Sequence, residues 1–101
     1  MLHMEERHLK IVQEILRKYP YDFYAFGSRV KGLQRALSDL DLAFKDPIPL
    51  NIISTIEEDF KESDLPFKLD LVDFSSCTQE FKERIEKDLV LIPKLTKTYS
   101  A

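Results

Sequence analysis

Three aspartates and one Gly-Ser pair supply the residue types from which chemistry can be built in this chain. Asp39 and Asp41 lie in Ser38-Asp39-Leu40-Asp41-Leu42-Ala43-Phe44, where polar and apolar residues alternate as in a strand with one buried face. That alternation puts both carboxylates on the same face, with Cα atoms roughly 6 to 7 Å apart. Aspartate is disfavoured inside strands, yet Asp70 sits between Leu69 and Leu71 in a second alternating run over 67–73. Paired strands are about 4.8 Å apart, so Asp70 can face the first two carboxylates across a ladder. At about 6 Å and an effective dielectric near 20, each such pair repels by roughly 2 to 3 kcal/mol, a cost that a bound cation removes. Magnesium suits this donor set, since it takes oxygen ligands and completes its shell with water and substrate phosphates. Two such ions can hold the attacking and leaving oxygens of an in-line phosphoryl displacement.

Upstream, Gly27-Ser28 stands where a strand feeds into a helix. A helix amino terminus offers unpaired N–H groups and partial positive charge, glycine lets a phosphate approach the backbone, and a serine hydroxyl can donate to a phosphate oxygen. Taken alone, a turn followed by an N-cap accounts for the pair equally well. Likewise, three aspartates on a solvated sheet face with Lys68 as counter-charge would need no metal. The combination of a phosphate cradle and metal-type ligands in one contiguous segment favours chemistry over either simple account.

The elements that must position these residues follow from periodicity. Leu9, Val12, Ile15, Leu16 and Tyr19 recur at helical spacing over 5–19, and Pro20 ends the pattern. An aromatic-rich strand is expected over 22–26, a short helix capped by Ser28 over 29–34, and the Asp39/Asp41 strand over 39–44. Ile52, Ile53, Ile56 and Phe60 share one face of a helix over 50–62, a stripe that reads as core. After Pro66 comes the Asp70 strand. Ser76 and Gln79 resemble a capping box opening a helix that carries Phe81, Ile85 and Leu89, and 89–92 either continues it or forms a last strand. Strands alternating with helices imply an α/β fold, a small mixed sheet flanked by helices with some parallel pairing through helical crossovers.

Length and composition bound the rest. A chain of 101 residues has room for one domain, 1–101, which buries roughly 60 to 65 per cent of its unfolded surface. Hydrophobic residues at 44% and charged residues at 33% are ordinary for a soluble protein. The apolar runs are too short for a membrane span, and charges at Glu5, Glu6, Arg7 and Lys10 interrupt any signal-like segment, so a cytoplasmic location is expected. A net charge of −3 argues against a chain built to coat nucleic acid, and direct nucleic-acid binding is not expected. The single Cys77 with two histidines leaves no zinc set; His3 and His8 receive no role. Lys31 and Arg35, four apart, would share a helical face and reach phosphate or an acceptor protein, or else be merely solvated.

Taken together, Gly27-Ser28-Arg29-Val30-Lys31-Gly32, the Ser38-Asp39-Leu40-Asp41-Leu42 strand and Leu69-Asp70-Leu71-Val72 resemble the minimal nucleotidyltransferases, a family of the DNA polymerase beta-like superfamily. Val30 and Lys31 replace the commoner Ala and Arg. The resemblance implies that Gly27 and Ser28, with Arg29 and Lys31 in the same segment, contact the triphosphate of ATP. It also implies that Asp39 and Asp41 bind two Mg2+ ions and that Asp70, a third ligand, assists the incoming hydroxyl. Minimal nucleotidyltransferases often pair with HEPN-domain toxins, so the resemblance implies an antitoxin that transfers AMP to a hydroxyl side chain of such a toxin. Two alternatives are a non-catalytic antitoxin that neutralises its partner by covering it, and the catalytic subunit of a small-molecule nucleotidyltransferase with a separate substrate-binding protein. A homodimer is compatible with so small a domain, although no residue pattern specifies one.

Overall fold

The protein is described by a computed structural model over residues 2–94, so the ends of the expected 1–101 domain lie outside the described residues. Helix α1 (Glu6–Leu16) buries Val12, Ile15 and Leu16, and its chain leads through a turn into strand β1 (Phe23–Phe26). A one-turn helix α2 (Ser28–Lys31) and a loop follow, then β2 (Leu40–Phe44). Helix α3 (Leu50–Lys61) crosses to β3 (Leu69–Asp73), a 3-10 turn spans Phe74–Ser76, and α4 (Gln79–Glu86) returns the chain to β4 (Val90–Leu91).

The four strands stand in the order β3-β2-β1-β4. A long connection through α3 makes β2 and β3 parallel, whereas β1 is antiparallel to both β2 and β4. The sheet is therefore mixed, as the alternation of strand and helix signals implied. Odd and even positions of each strand serve different layers. Phe23 and Ala25 of β1 and Leu40, Leu42 and Phe44 of β2 pack beneath α1 and α3 with Val12, Ile15, Ile56 and Phe60. Phe26 and Ala43 point the other way, into a smaller cluster with Ile85 of α4 that Val72, Phe74, Phe81 and Leu89 extend. Each sheet face thus has its own cover. The face under α4 is the one on which Asp41 and Asp70 lie.

Three local expectations are corrected by the structure. Helix α2 stops at Lys31 rather than continuing to residue 34, because Gly32 takes a left-handed conformation (φ 75°, ψ 21°) that ends the turn. Lys31 and Arg35 consequently do not share a helical face. The cap of α4 is Thr78, whose hydroxyl accepts from the Phe81 N–H at 3.2 Å, whereas Ser76 belongs to the 3-10 turn and donates to Asp73. Among the described residues no helix is long and apolar enough to cross a membrane.

Candidate active site

Parallel pairing of β2 with β3 sets Asp41 directly opposite Asp70, and antiparallel pairing with β1 sets Phe26 on the other side of Asp41. Asp39 is one residue ahead of β2 and in phase with Asp41. The three carboxylates interact: burial raises the Asp41 pKa to about 6, and the neighbouring charges of Asp70 and Asp39, then a side-chain hydrogen bond with Asp70, raise it in the same sense. Asp41 is half-buried while Asp39 and Asp70 are exposed, so the cluster opens outward. Among the described residues none of the three has an ion-pair partner, Lys68 included. The raised Asp41 pKa is thus the cluster's response to burial and to charge that no side-chain cation among the described residues offsets.

Gly27 follows Phe26 and touches this cluster. Its backbone (φ 81°, ψ −153°) lies in a region essentially restricted to glycine, and a Cβ placed there would stand 2.3 Å from Asp41 Oδ2. Gly27 also caps α2, its carbonyl accepting from the N–H groups of Val30 (3.1 Å) and Lys31 (3.2 Å). Ser28 occupies the first turn of α2 rather than the cap position expected for it. Gly27 and Ser28 are thus beside the carboxylates by construction, where the strand ends.

The other two residues of the expected phosphate set behave differently. Arg29 is 4% exposed, and its guanidinium is turned away from solvent. Nε and Nη2 donate to the Ser38 carbonyl at 3.2 and 2.9 Å, Nη2 to Ala36 at 3.3 Å and Nη1 to His3 at 3.3 Å. It lies 4.1 Å from the Phe67 ring centre. The Arg29 donors are committed to backbone carbonyls, so its side chain is buried as a clamp rather than presented to solvent as a nucleotide-binding arginine is expected to be. Lys31 stays half-exposed and pairs loosely with Asp88 at 3.8 Å.

Hard carboxylate oxygens without protein cations, crowded enough to raise a pKa, fit a divalent ion of the magnesium type. Among the described residues no group of three or more His, Cys, Asp or Glu side chains is arranged to hold a metal ion by itself. A partial set is what an ion needs if phosphate oxygens and water supply its remaining ligands. Sequence reasoning missed Arg29's burial, for which an arginine in a one-turn helix gives no local signal. It also gave no role to His3 and His8, and the structure gives them packing ones, His3 against Gly32 and His8 edge-on to Phe67.

Residues 10–96 match the family described as polymerase beta, nucleotidyltransferase. A relative from Haemophilus influenzae, named "Probable protein adenylyltransferase MntA", is 41% identical over 101 residues, spanning 96% of this chain and 89% of its own. The fold is also that of a solved crystal structure, described as a toxin-antitoxin with AMP-PNP. The two superpose with a TM-score of 0.66 over 86% of this chain and 73% of that one, at 23% identity. The mixed sheet, its Gly-Ser turn and a match across most of the chain agree: this chain is an enzyme of the polymerase beta nucleotidyltransferase family and belongs to its minimal nucleotidyltransferases.

Proposed function

We propose that this enzyme transfers AMP from ATP to a hydroxyl side chain of a protein partner, a HEPN-type toxin that the transfer silences. The observation that carries the reading is the register of Asp41 against Asp70, with Asp39 in phase and the Gly27 backbone packed against the Asp41 carboxylate, so that the aspartates and the Gly-Ser turn meet at one strand end. Similarity across 96% of the chain to a relative named as a protein adenylyltransferase supports a protein acceptor, and a fold shared with a toxin-antitoxin structure supports a toxin as that protein.

Asp39, Asp41 and Asp70 would hold two magnesium ions, which when bound supply positive charge to the phosphate oxygens. The chain's own residues do the rest. Gly27 lets the Asp41 carboxylate approach the turn, whose backbone and Ser28 hydroxyl would meet the triphosphate oxygens. Exposed Asp70 meets the acceptor hydroxyl and takes its proton as the oxygen attacks the α-phosphorus in line; the bond to the bridging oxygen breaks and pyrophosphate leaves. Held geometry and neutralised charge supply most of the acceleration.

Incubation with α-labelled ATP, magnesium and the product of the adjacent gene is expected to label that product, and an Asp39→Asn/Asp41→Asn double variant is expected to leave it unlabelled. Absence of labelling with every nucleotide tried overturns the reading. Protection from the toxin that survives the double variant would assign neutralisation to complex formation instead.

A further inference from the structure

Arg29 is the one charged residue buried among the described residues. Its hydrogen bonds converge on a single stretch of backbone. Two of the four end on the carbonyl of Ser38, whose peptide bond carries Asp39, and a third ends on Ala36 two residues earlier. The fourth reaches His3, whose own N–H donates back to the Arg29 carbonyl. Phe67 closes the other side of the guanidinium plane, and its successor Lys68 accepts from the Leu40 N–H at 2.8 Å. The arginine thereby ties four segments together at the point where the chain enters β2: the amino-terminal segment, α2, the loop after it and the approach to β3.

Its position along the chain adds a second constraint. Arg29 is two residues beyond Gly27, whose backbone abuts the Asp41 carboxylate, and its guanidinium holds the peptide that leads into Asp39. The phosphate-side turn and the carboxylates are consequently fixed to one another through one side chain. A planar fork with several donors and a stacking face can satisfy two carbonyls and cover an aromatic ring at once; a lysine ammonium cannot.

We propose that Arg29 is a positioning residue that sets the geometry of Asp39 relative to Asp41 and Gly27, and so preorganises the carboxylates for divalent cations before nucleotide arrives. The inference rests on the reading of the aspartates as metal ligands. It differs from a phosphate-binding role in what it governs: cation affinity in the absence of nucleotide.

The test measures Mn2+ binding to the nucleotide-free protein by titration calorimetry, for wild type, Arg29→Lys and Asp39→Asn. Outer-shell partners typically govern metal affinity by about 10- to 100-fold, so Arg29→Lys is expected to weaken Mn2+ by that factor while remaining folded. Hydrogen exchange on the wild-type protein accompanies it. The Ser38 and Leu40 amides, which donate to Arg35 and Lys68, are expected to be protected in wild type and to exchange at least about ten times faster in Arg29→Lys. Mn2+ affinity unchanged in Arg29→Lys yet lost in Asp39→Asn overturns the clamp and leaves the site reading intact, whether or not the melting temperature falls. Unprotected amides in wild type overturn the clamp without recourse to any variant. Absence of saturable Mn2+ binding to wild type overturns the metal site itself, and the clamp with it.

Discussion

Replacing Gly27 by alanine separates two costs that the structure allows to be worked out in advance. The backbone at φ 81° and ψ −153° is nearly closed to residues with a side chain, and holding alanine there costs about 1 to 3 kcal/mol. A domain of this size has roughly 5 to 15 kcal/mol of stability, so the variant remains mostly folded at 25 °C. The second cost falls on function. The new Cβ would lie 2.3 Å from Asp41 Oδ2, well inside an ordinary contact, and the carboxyl must retreat by about 1 Å. A displacement of about 1 Å at a reacting centre costs on the order of 100-fold in rate. Nucleotidyl transfer to the partner, followed with α-labelled ATP, is therefore expected to fall about 100-fold under conditions where circular dichroism shows a folded protein. Gly32→Ala is the control: its left-handed backbone carries a similar penalty of about 1 to 2 kcal/mol, but its Cβ would meet only the His3 ring at 3.3 Å, so transfer should be retained. Gly27→Ala with wild-type transfer and wild-type Mn2+ affinity would refute the reasoning, since the close approach to Asp41 would then have no consequence.

Two further outcomes are expected. Because the Asp41 pKa is raised from the usual carboxylate value to about 6, the folded state binds a proton more tightly than the unfolded state; the associated stabilisation is complete below about pH 4 and is lost as pH rises through 6. Denaturant unfolding in chelator should show stability falling between pH 4.5 and 7 by way of this group, and magnesium should restore it above pH 6 because the cation binds the deprotonated cluster; a flat chelator profile, or no effect of magnesium, contradicts the assignment. Tyr19, in the turn after α1, ties that turn to α3 by donating to Asp59, which also pairs with Lys18 at 2.9 Å, and burial with the Asp59 contact pushes the Tyr19 hydroxyl up to about 12. Tyr19→Phe should cost about 1 to 2 kcal/mol in denaturant unfolding and leave transfer unchanged, since the pair lies among the helices remote in the fold from the carboxylates.

Much of the fold and part of the site follow from the order of residues alone, because both rest on local periodicity. Alternation in Asp39-Leu40-Asp41-Leu42 separates a carboxylate face from a core face whatever the rest of the chain does, and the structure indeed sends Leu40 and Leu42 under α1 and α3. The stripe of Ile52, Ile56 and Phe60 likewise marks α3, whose bounds of Leu50–Lys61 differ by one residue from those the period suggests. Helix ends were less legible, since α2 is ended by one backbone torsion at Gly32 and the start of α4 depends on which of several neighbouring hydroxyls reaches an N–H.

What the sequence could not decide is pairing. That Asp70 stands opposite Asp41 rather than one residue along depends on the register of β3 against β2, and a slip of one would turn its carboxylate to the other face. The place of β4 beside β1, across the sheet from its sequence neighbour β3, is equally non-local. The same holds for Arg29: an arginine next to a phosphate-type turn reads as a ligand until the carbonyls of Ala36, Ser38 and His3 and the ring of Phe67 are seen to surround it. Local pattern fixes which way a side chain leaves its own element. Only the packing of segments distant in the chain determines what it meets, and for Arg29 those segments supply the carbonyls and the aromatic ring that bury its guanidinium.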